Sequence, residues 1–168
     1  MTMPPADLPK LPLHAENVGW VEWKERSGFN LRYRHLTSAA VGENYHVGFA
    51  IEELAAGSQS APAHYHMLEE EHVYVLAGEL TLRLGNERQV MKAGDYVCFP
   101  AGQRAAHCLI NHTNEPCRYI IVGERNPNDV IVYPDSNKVM VRPLGRDEIY
   151  DLAGKRGYWD GEVADSKK

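Results

Sequence analysis

Between residues 45 and 122 the chain is built from short apolar alternations broken by turns, and this spacing constrains the fold more than any other feature. Val47, Phe49 and Ile51 alternate with His46, Gly48 and Ala50, which predicts a strand over Tyr45 to Leu54 with one face toward a core. Leu31 to Leu36 reads as a strand before it. Gly57-Ser58-Gln59-Ser60 is a turn, followed by predicted strands at Ala63 to His66 and Glu71 to Leu76. Gly78 turns the chain, and Leu80, Leu82 and Leu84 then alternate with Thr81 and Arg83. Gly85-Asn86 is a hairpin signal. Gly94-Asp95 opens Tyr96 to Phe99, Pro100-Ala101-Gly102 turns again, and Ala105 to Ile110 runs back across. Arg118 to Val122 is the last clear strand. Strands this short, closely spaced between turns and without an internal repeat, predict one all-β sandwich or barrel.

The flanks read differently. Pro4-Pro5, Pro9 and Pro12 break regular structure, so residues 1–28 are expected to form an irregular arm. No segment before residue 145 shows a helical period, and Asp147 to Ala153 reads as one short helix closed by Gly154. The expected organisation is an arm over 1–28, a barrel over 29–125 and an extension over 126–168 that packs on it, with Tyr158 and Trp159 pressed against the sheet. A chain of 168 residues holds one domain and buries roughly 70% of the surface it exposes when unfolded. A net charge of −5 without a dense Lys/Arg run argues against a nucleic-acid partner. No run approaches the roughly 20 apolar residues of a membrane span, and the N-terminus lacks the apolar stretch of a signal peptide. Cys98, Cys108 and Cys117 are odd in number and form no Cys-x-x-Cys, which predicts free, buried thiols and a cytoplasmic protein.

The chemistry concentrates in His64-Tyr65-His66, Glu71 and His107. Two histidines one residue apart on a strand face the same way. Glu71 is one of three adjacent acids, and strand parity singles it out. It shares a face with Val73 and Val75, so His72 and Tyr74 turn outward. Glu69 and Glu70 sit nearer the bend and are expected to be solvated. His107 starts a strand on which Leu109 and Asn111 share its face. Three imidazoles and one carboxylate suit a first-row divalent ion and leave coordination positions open. His14, His35, His46, His72 and His112 lack comparable spacing and read as surface or structural.

These residues fall into two spaced motifs. Gly57 is followed by six residues, His64-Tyr65-His66, four residues, Glu71, six residues and Gly78. After a 15-residue gap, Gly94 is followed by five residues, Pro100-Ala101-Gly102, four residues, His107, three residues and Asn111. The pattern resembles the two motifs of the cupin superfamily, with one extra residue after Gly57 and two before His107. The resemblance implies a jelly-roll β-barrel of two antiparallel sheets. It implies that His64, His66, Glu71 and His107 hold one divalent transition metal per chain, Fe, Mn, Ni or Zn. It gives Asn111 a hydrogen-bonding role toward turn backbone. With neutral imidazoles and an ionised Glu71 the complex would carry about +1, suiting an anionic oxygen ligand. The functional expectation is a metal-dependent enzyme acting on a small oxygenated metabolite, of oxygenase or isomerase type. A non-catalytic, metal-dependent binding or sensing protein is the alternative, because fold and ligands alone do not choose. Arg83, Tyr65 and Glu124-Arg125 could contact substrate, but each reads better as a sheet-surface residue. An outward face bearing Tyr74 and Leu76 leads us to expect a homodimer.

Overall fold

The computed structural model describes residues 12–145 and 148–163. Thirteen strands make up the fold among them: β1 (Val21–Arg26), β2 (Phe29–His35), β3 (Val47–Leu54), β4 (Tyr65–His66), β5 (Glu71–Ala77), β6 (Glu79–Leu84), β7 (Glu87–Lys92), β8 (Tyr96–Phe99), β9 (His107–Ile110), β10 (Cys117–Glu124), β11 (Val130–Tyr133), β12 (Lys138–Val141) and β13 (Ile149–Asp151). One layer is a six-stranded sheet in the order β1-β2-β3-β10-β5-β8. The second layer comprises a four-stranded sheet, β13-β12-β11-β4, and a three-stranded one, β7-β6-β9. His64 and His107 join these two pieces by reciprocal backbone hydrogen bonds of 3.1 and 2.8 Å. The paired strands are all antiparallel, and the architecture is the all-β jelly roll that the motifs imply.

Alternation explains the core. Val73 and Val75 of β5, Leu80 and Leu82 of β6, Met91 of β7, Phe99 of β8, Leu109 of β9, and Cys117 and Tyr119 of β10 are buried in one cluster with Leu31 and Leu54. Each large aliphatic side chain buried there contributes roughly 1.5–3 kcal/mol relative to exposure. The residues between them point away, as Tyr74 and Leu76 do at 43% and 39% exposure. Gly78 turns β5 into β6 at φ +81°, and a Cβ there would lie 3.1 Å from the Pro116 carbonyl oxygen, so glycine is required.

The flanks depart from expectation. Residues 1–11 lie outside the described residues, but the predicted irregular arm holds a full strand at Val21–Arg26, paired with β2. Val21 and Trp23 alternate there with Glu22 and Lys24, a signal that the prolines upstream overshadowed. Leu36–Val41 forms a short helix, α1, too brief to show a period. It is capped by the His35 ring, which accepts from Ser38 N at 3.1 Å, and it ends at Gly42. Arg118 to Val122 is not the last strand, since β11, β12 and β13 follow. Of the helix predicted over Asp147 to Ala153, Asp147 lies outside the described residues. Ile149–Asp151 is a strand paired with β12, and Leu152–Gly154 is a single 3-10 turn. Tyr158 and Trp159 are 84% and 76% exposed and stack on each other edge-to-face instead of packing on the sheet.

Candidate metal centre

The reciprocal pairing of His64 with His107, and the pairing of β4 with β11, put three imidazoles on the inner wall of the second layer. Glu71 faces them from the first layer. Its neighbour across the sheet is Gly123, where a Cβ would lie 3.4 Å from Glu71 Cγ. The missing side chain leaves the carboxylate room. Glu71 Oε2 is 3.0 Å from His107 Nε2, 3.4 Å from His66 Nε2 and 3.9 Å from His64 Nε2. One donor atom from each of His64, His66 and Glu71 lies within 4.8 Å of the other two, and His107 joins through Glu71. The structure thus brings together all four residues that the sequence singles out.

What holds each ring is as informative. His64 Nδ1 is 2.8 Å from the Pro62 carbonyl oxygen, so it carries the proton and donates there. His66 Nδ1 is 2.6 Å from Asp129 Oδ2 and 3.2 Å from Glu69 Oε2. Both arrangements turn Nε2 inward, the atom a metal ligand presents. His66 Nε2 is buried and has no hydrogen-bond partner. A buried ring nitrogen without a hydrogen bond costs free energy, and a bound cation in place of a proton there would offset that cost. The donor set therefore fits a divalent cation. His107 stacks on Phe99 with ring centres 3.7 Å apart and planes 3° from parallel, which fixes its rotation.

Charges follow from these contacts. Burial pushes the His64 imidazole down to about 4, keeping it neutral. For His66 burial works the same way, but the hydrogen bonds to Asp129 and Glu69 outweigh it and raise the ring to about 9. Burial opposes ionisation of Glu71, yet the His107 hydrogen bond and the surrounding imidazoles hold its carboxyl down at about 2.

Sequence reasoning missed the residues behind His66. Glu69, expected to be solvated, is 2% exposed. It is ion-paired with Arg142 and accepts from the Asn126 N–H. Asp129, fully buried, accepts from Leu68 N at 2.8 Å besides binding His66. Glu69 sat in a legible acid run, but its direction turns on Arg142, 73 residues away. Asp129 is 63 residues from His66 and carries no local signal. Glu70 is the partly exposed acid of the three. Asn111, buried, donates to the Leu54 and Glu115 carbonyls and accepts from Thr113 N, the turn role expected of it.

A cavity of about 580 Å³ opens onto this cluster, with His66, Glu69 and Glu71 in its wall together with Tyr33, Tyr45, Glu52, Arg125 and Arg142. A smaller chamber of about 240 Å³ surrounds His64, His66, Glu71 and His107 with Leu31, Val73, Phe99 and Leu109. Glu124 and Arg125 line the larger cavity. Arg83 and Tyr65 do not: Arg83 is bonded by Asp135 (2.9 Å from Nη2), and Tyr65 packs on Ala63, Ala106 and Cys108. Among the described residues, no helix is long and apolar enough to cross a membrane.

A jelly roll with a histidine–carboxylate cluster between its two layers defines a class of β-barrel proteins that bind small molecules, often through a metal. The chain belongs to the cupin family, whose domain model matches residues 50–123. It is 33% identical over 103 residues to the quercetin 2,3-dioxygenase of Bacillus subtilis (strain 168), a match covering 58% of this chain and 31% of that one. The chain thus spans about a third of the length of that relative. Among solved structures, a provisionally assigned sugar phosphate isomerase from Acidithiobacillus ferrooxidans is 32% identical with a TM-score of 0.71, covering 77% of this chain and 81% of that one. A cupin-superfamily sugar phosphate isomerase from Silicibacter pomeroyi, 24% identical with a TM-score of 0.73, covers 89% and 98% and shares the fold.

Proposed function

We propose that this chain is a metal-dependent enzyme acting on a small oxygenated metabolite, with one divalent transition metal held by His64, His66, Glu71 and His107. The observation that carries the reading is the convergence of three imidazole Nε2 atoms on Glu71 Oε2 where a cavity of about 580 Å³ begins. A bound divalent ion would supply Lewis-acid polarisation of a substrate oxygen. The protein's own groups favour isomerase-type proton transfer. Burial pushes the Glu52 carboxyl in the cavity wall up to about 7, where it can both take and return a proton near neutral pH. Tyr119 donates to Glu52 Oε2 at 2.6 Å and fixes it. Arg142 and Arg125 stand at the same cavity to meet anionic oxygens, although each already has an acidic partner. The likeness to the Acidithiobacillus protein supports this reading.

The second reading, an oxygenase, is favoured by the apolar wall of the inner chamber, where Leu31, Val73, Phe99 and Leu109 keep bulk water from the cluster, and by the likeness to the Bacillus dioxygenase. Metal analysis of the purified chain, followed by oxygen uptake and NMR-monitored isomerisation over a panel of sugar phosphates, keto acids and flavonols, tests both. We expect one inner metal per chain and isomerisation without oxygen uptake. Oxygen consumption with an iron-loaded protein selects the oxygenase. Metal binding with no turnover of the panel selects a binding role.

A further inference from the structure

Strand β5 carries polar chemistry on both faces. Glu71 points inward, so Glu70 and His72 on either side of it point out. His72 lies directly opposite Cys98 of β8 in the antiparallel register, and the two side chains share the outer face. His72 Nε2 is 3.1 Å from Glu70 Oε1, and His72 Nδ1 is 2.7 Å from the Tyr96 hydroxyl. The Tyr96 ring stacks on the imidazole at 6.0 Å and 18°. Cys98 is a free, half-buried thiol. One donor atom each from Glu70, His72 and Cys98 lies within 4.8 Å of the other two.

We infer that Glu70, His72 and Cys98 form a second, outward-facing site for a thiophilic divalent ion such as Zn²⁺, with Tyr96 orienting the imidazole. A tetrahedral ion with bonds of roughly 2.0–2.3 Å holds its donors roughly 3.3–3.8 Å apart. Small side-chain rotations therefore close the three donors on an ion and leave the fourth position to water. A thiolate, an imidazole and a carboxylate select borderline-soft ions over Mg²⁺ or Ca²⁺. Binding releases the Cys98 proton to solvent, so uptake strengthens as pH rises. The register supplies the rigidity: His72 and Cys98 sit on adjacent paired strands, and Glu70 directly precedes β5.

Sulfur provides a readout that the barrel cluster, made of nitrogen and oxygen donors, does not share. The full-length chain is titrated with Co²⁺ in a thiol-free reductant while the near-ultraviolet sulfur-to-cobalt charge-transfer band is followed. The band should appear in the wild type and saturate at one cobalt per chain beyond the one the inner site takes. It should vanish in Cys98→Ser and persist in His66→Ala. His72→Gln and Glu70→Gln should each weaken the half-saturation concentration by about tenfold or more, and they serve if the serine variant does not fold. A wild type without the band overturns the site, as does a band that survives Cys98→Ser. A band lost instead in Cys108→Ser places the sulfur in the inner chamber and also overturns it. Inner-site occupancy is counted separately by total metal, so failure here leaves the barrel cluster untouched.

Discussion

Glu71 and Glu70 are neighbours in sequence and stand in opposite environments. On the inner face of β5, Glu71 meets three imidazoles, each held by a different support: a backbone carbonyl behind His64, two carboxylates behind His66 and the Phe99 ring under His107. On the outer face, Glu70 meets one imidazole and a thiol, with a single tyrosine as support and open solvent around them. The inner donors are all nitrogen and oxygen and are held by several partners, whereas the outer set adds one soft thiol and rests on a single tyrosine. A strand one residue wide thus separates two environments because alternation sends consecutive side chains to opposite dielectrics.

The largest difference should appear on deleting an inner ligand. His66→Ala or His64→Ala is expected to abolish inner metal binding while circular dichroism stays that of a folded β protein. Unchanged metal content by elemental analysis in both variants would remove the inner site from the comparison. Next in size is the carboxylate behind His66. Asp129→Asn keeps the shape but loses the charge that orients Nδ1–H, and inner metal affinity should fall by about 10- to 100-fold. Competition with a chelator measures this, and an affinity within twofold of wild type would show that Asp129 is a purely structural residue.

Glu69 sharpens the contrast with Glu70. Removing Glu69 strands Arg142 and His66 beside a buried site, so Glu69→Ala should cost on the order of 3 kcal/mol in urea unfolding. Glu70→Ala should change stability little, since exposed ion pairs contribute about 0–1 kcal/mol. Equal losses in the two variants would erase the distinction. Glu52 gives an effect that shows only as a dependence on pH. Its carboxyl moves from an ordinary 4.5 to about 7 on folding, so the folded state holds the proton more tightly than the unfolded chain. That contribution is full below pH 4.5 and is lost as pH rises to about 7. Thermal melts of Glu52→Gln should therefore gain on the wild type across this window and run parallel above it. Curves parallel throughout would place the carboxyl at its ordinary value.

The four candidate ligands are legible because their signal is local. A strand's alternation puts His64 and His66 on one face, and parity with Val73 and Val75 chooses Glu71 from three acids. The inward set is legible for the same reason, as burial of Val73, Val75, Leu80 and Leu82 shows. The supports behind the ligands are not legible, because Asp129 and Arg142 reach the site only after β11 pairs with β4 and the chain folds back. Strands β11 and β12 had their own signal in Val130-Ile131-Val132-Tyr133 and Val139-Met140-Val141, runs rich in β-branched residues. The short helix α1 had none, since six residues hold fewer than two turns.

The bond between His66 and Asp129 ties a residue inside the segment that defines the family, 50–123, to one outside it. The carboxylate that orients this candidate ligand therefore lies outside the part of the chain that carries the family pattern. Grafting the 126–145 stretch of one such chain onto the first 125 residues of another would exchange the support behind His66, together with β11 and β12, and leave His66 Nε2 on its own strand. Metal preference could then be altered through a module that contains no ligand, by a route that substitution within the two motifs does not offer.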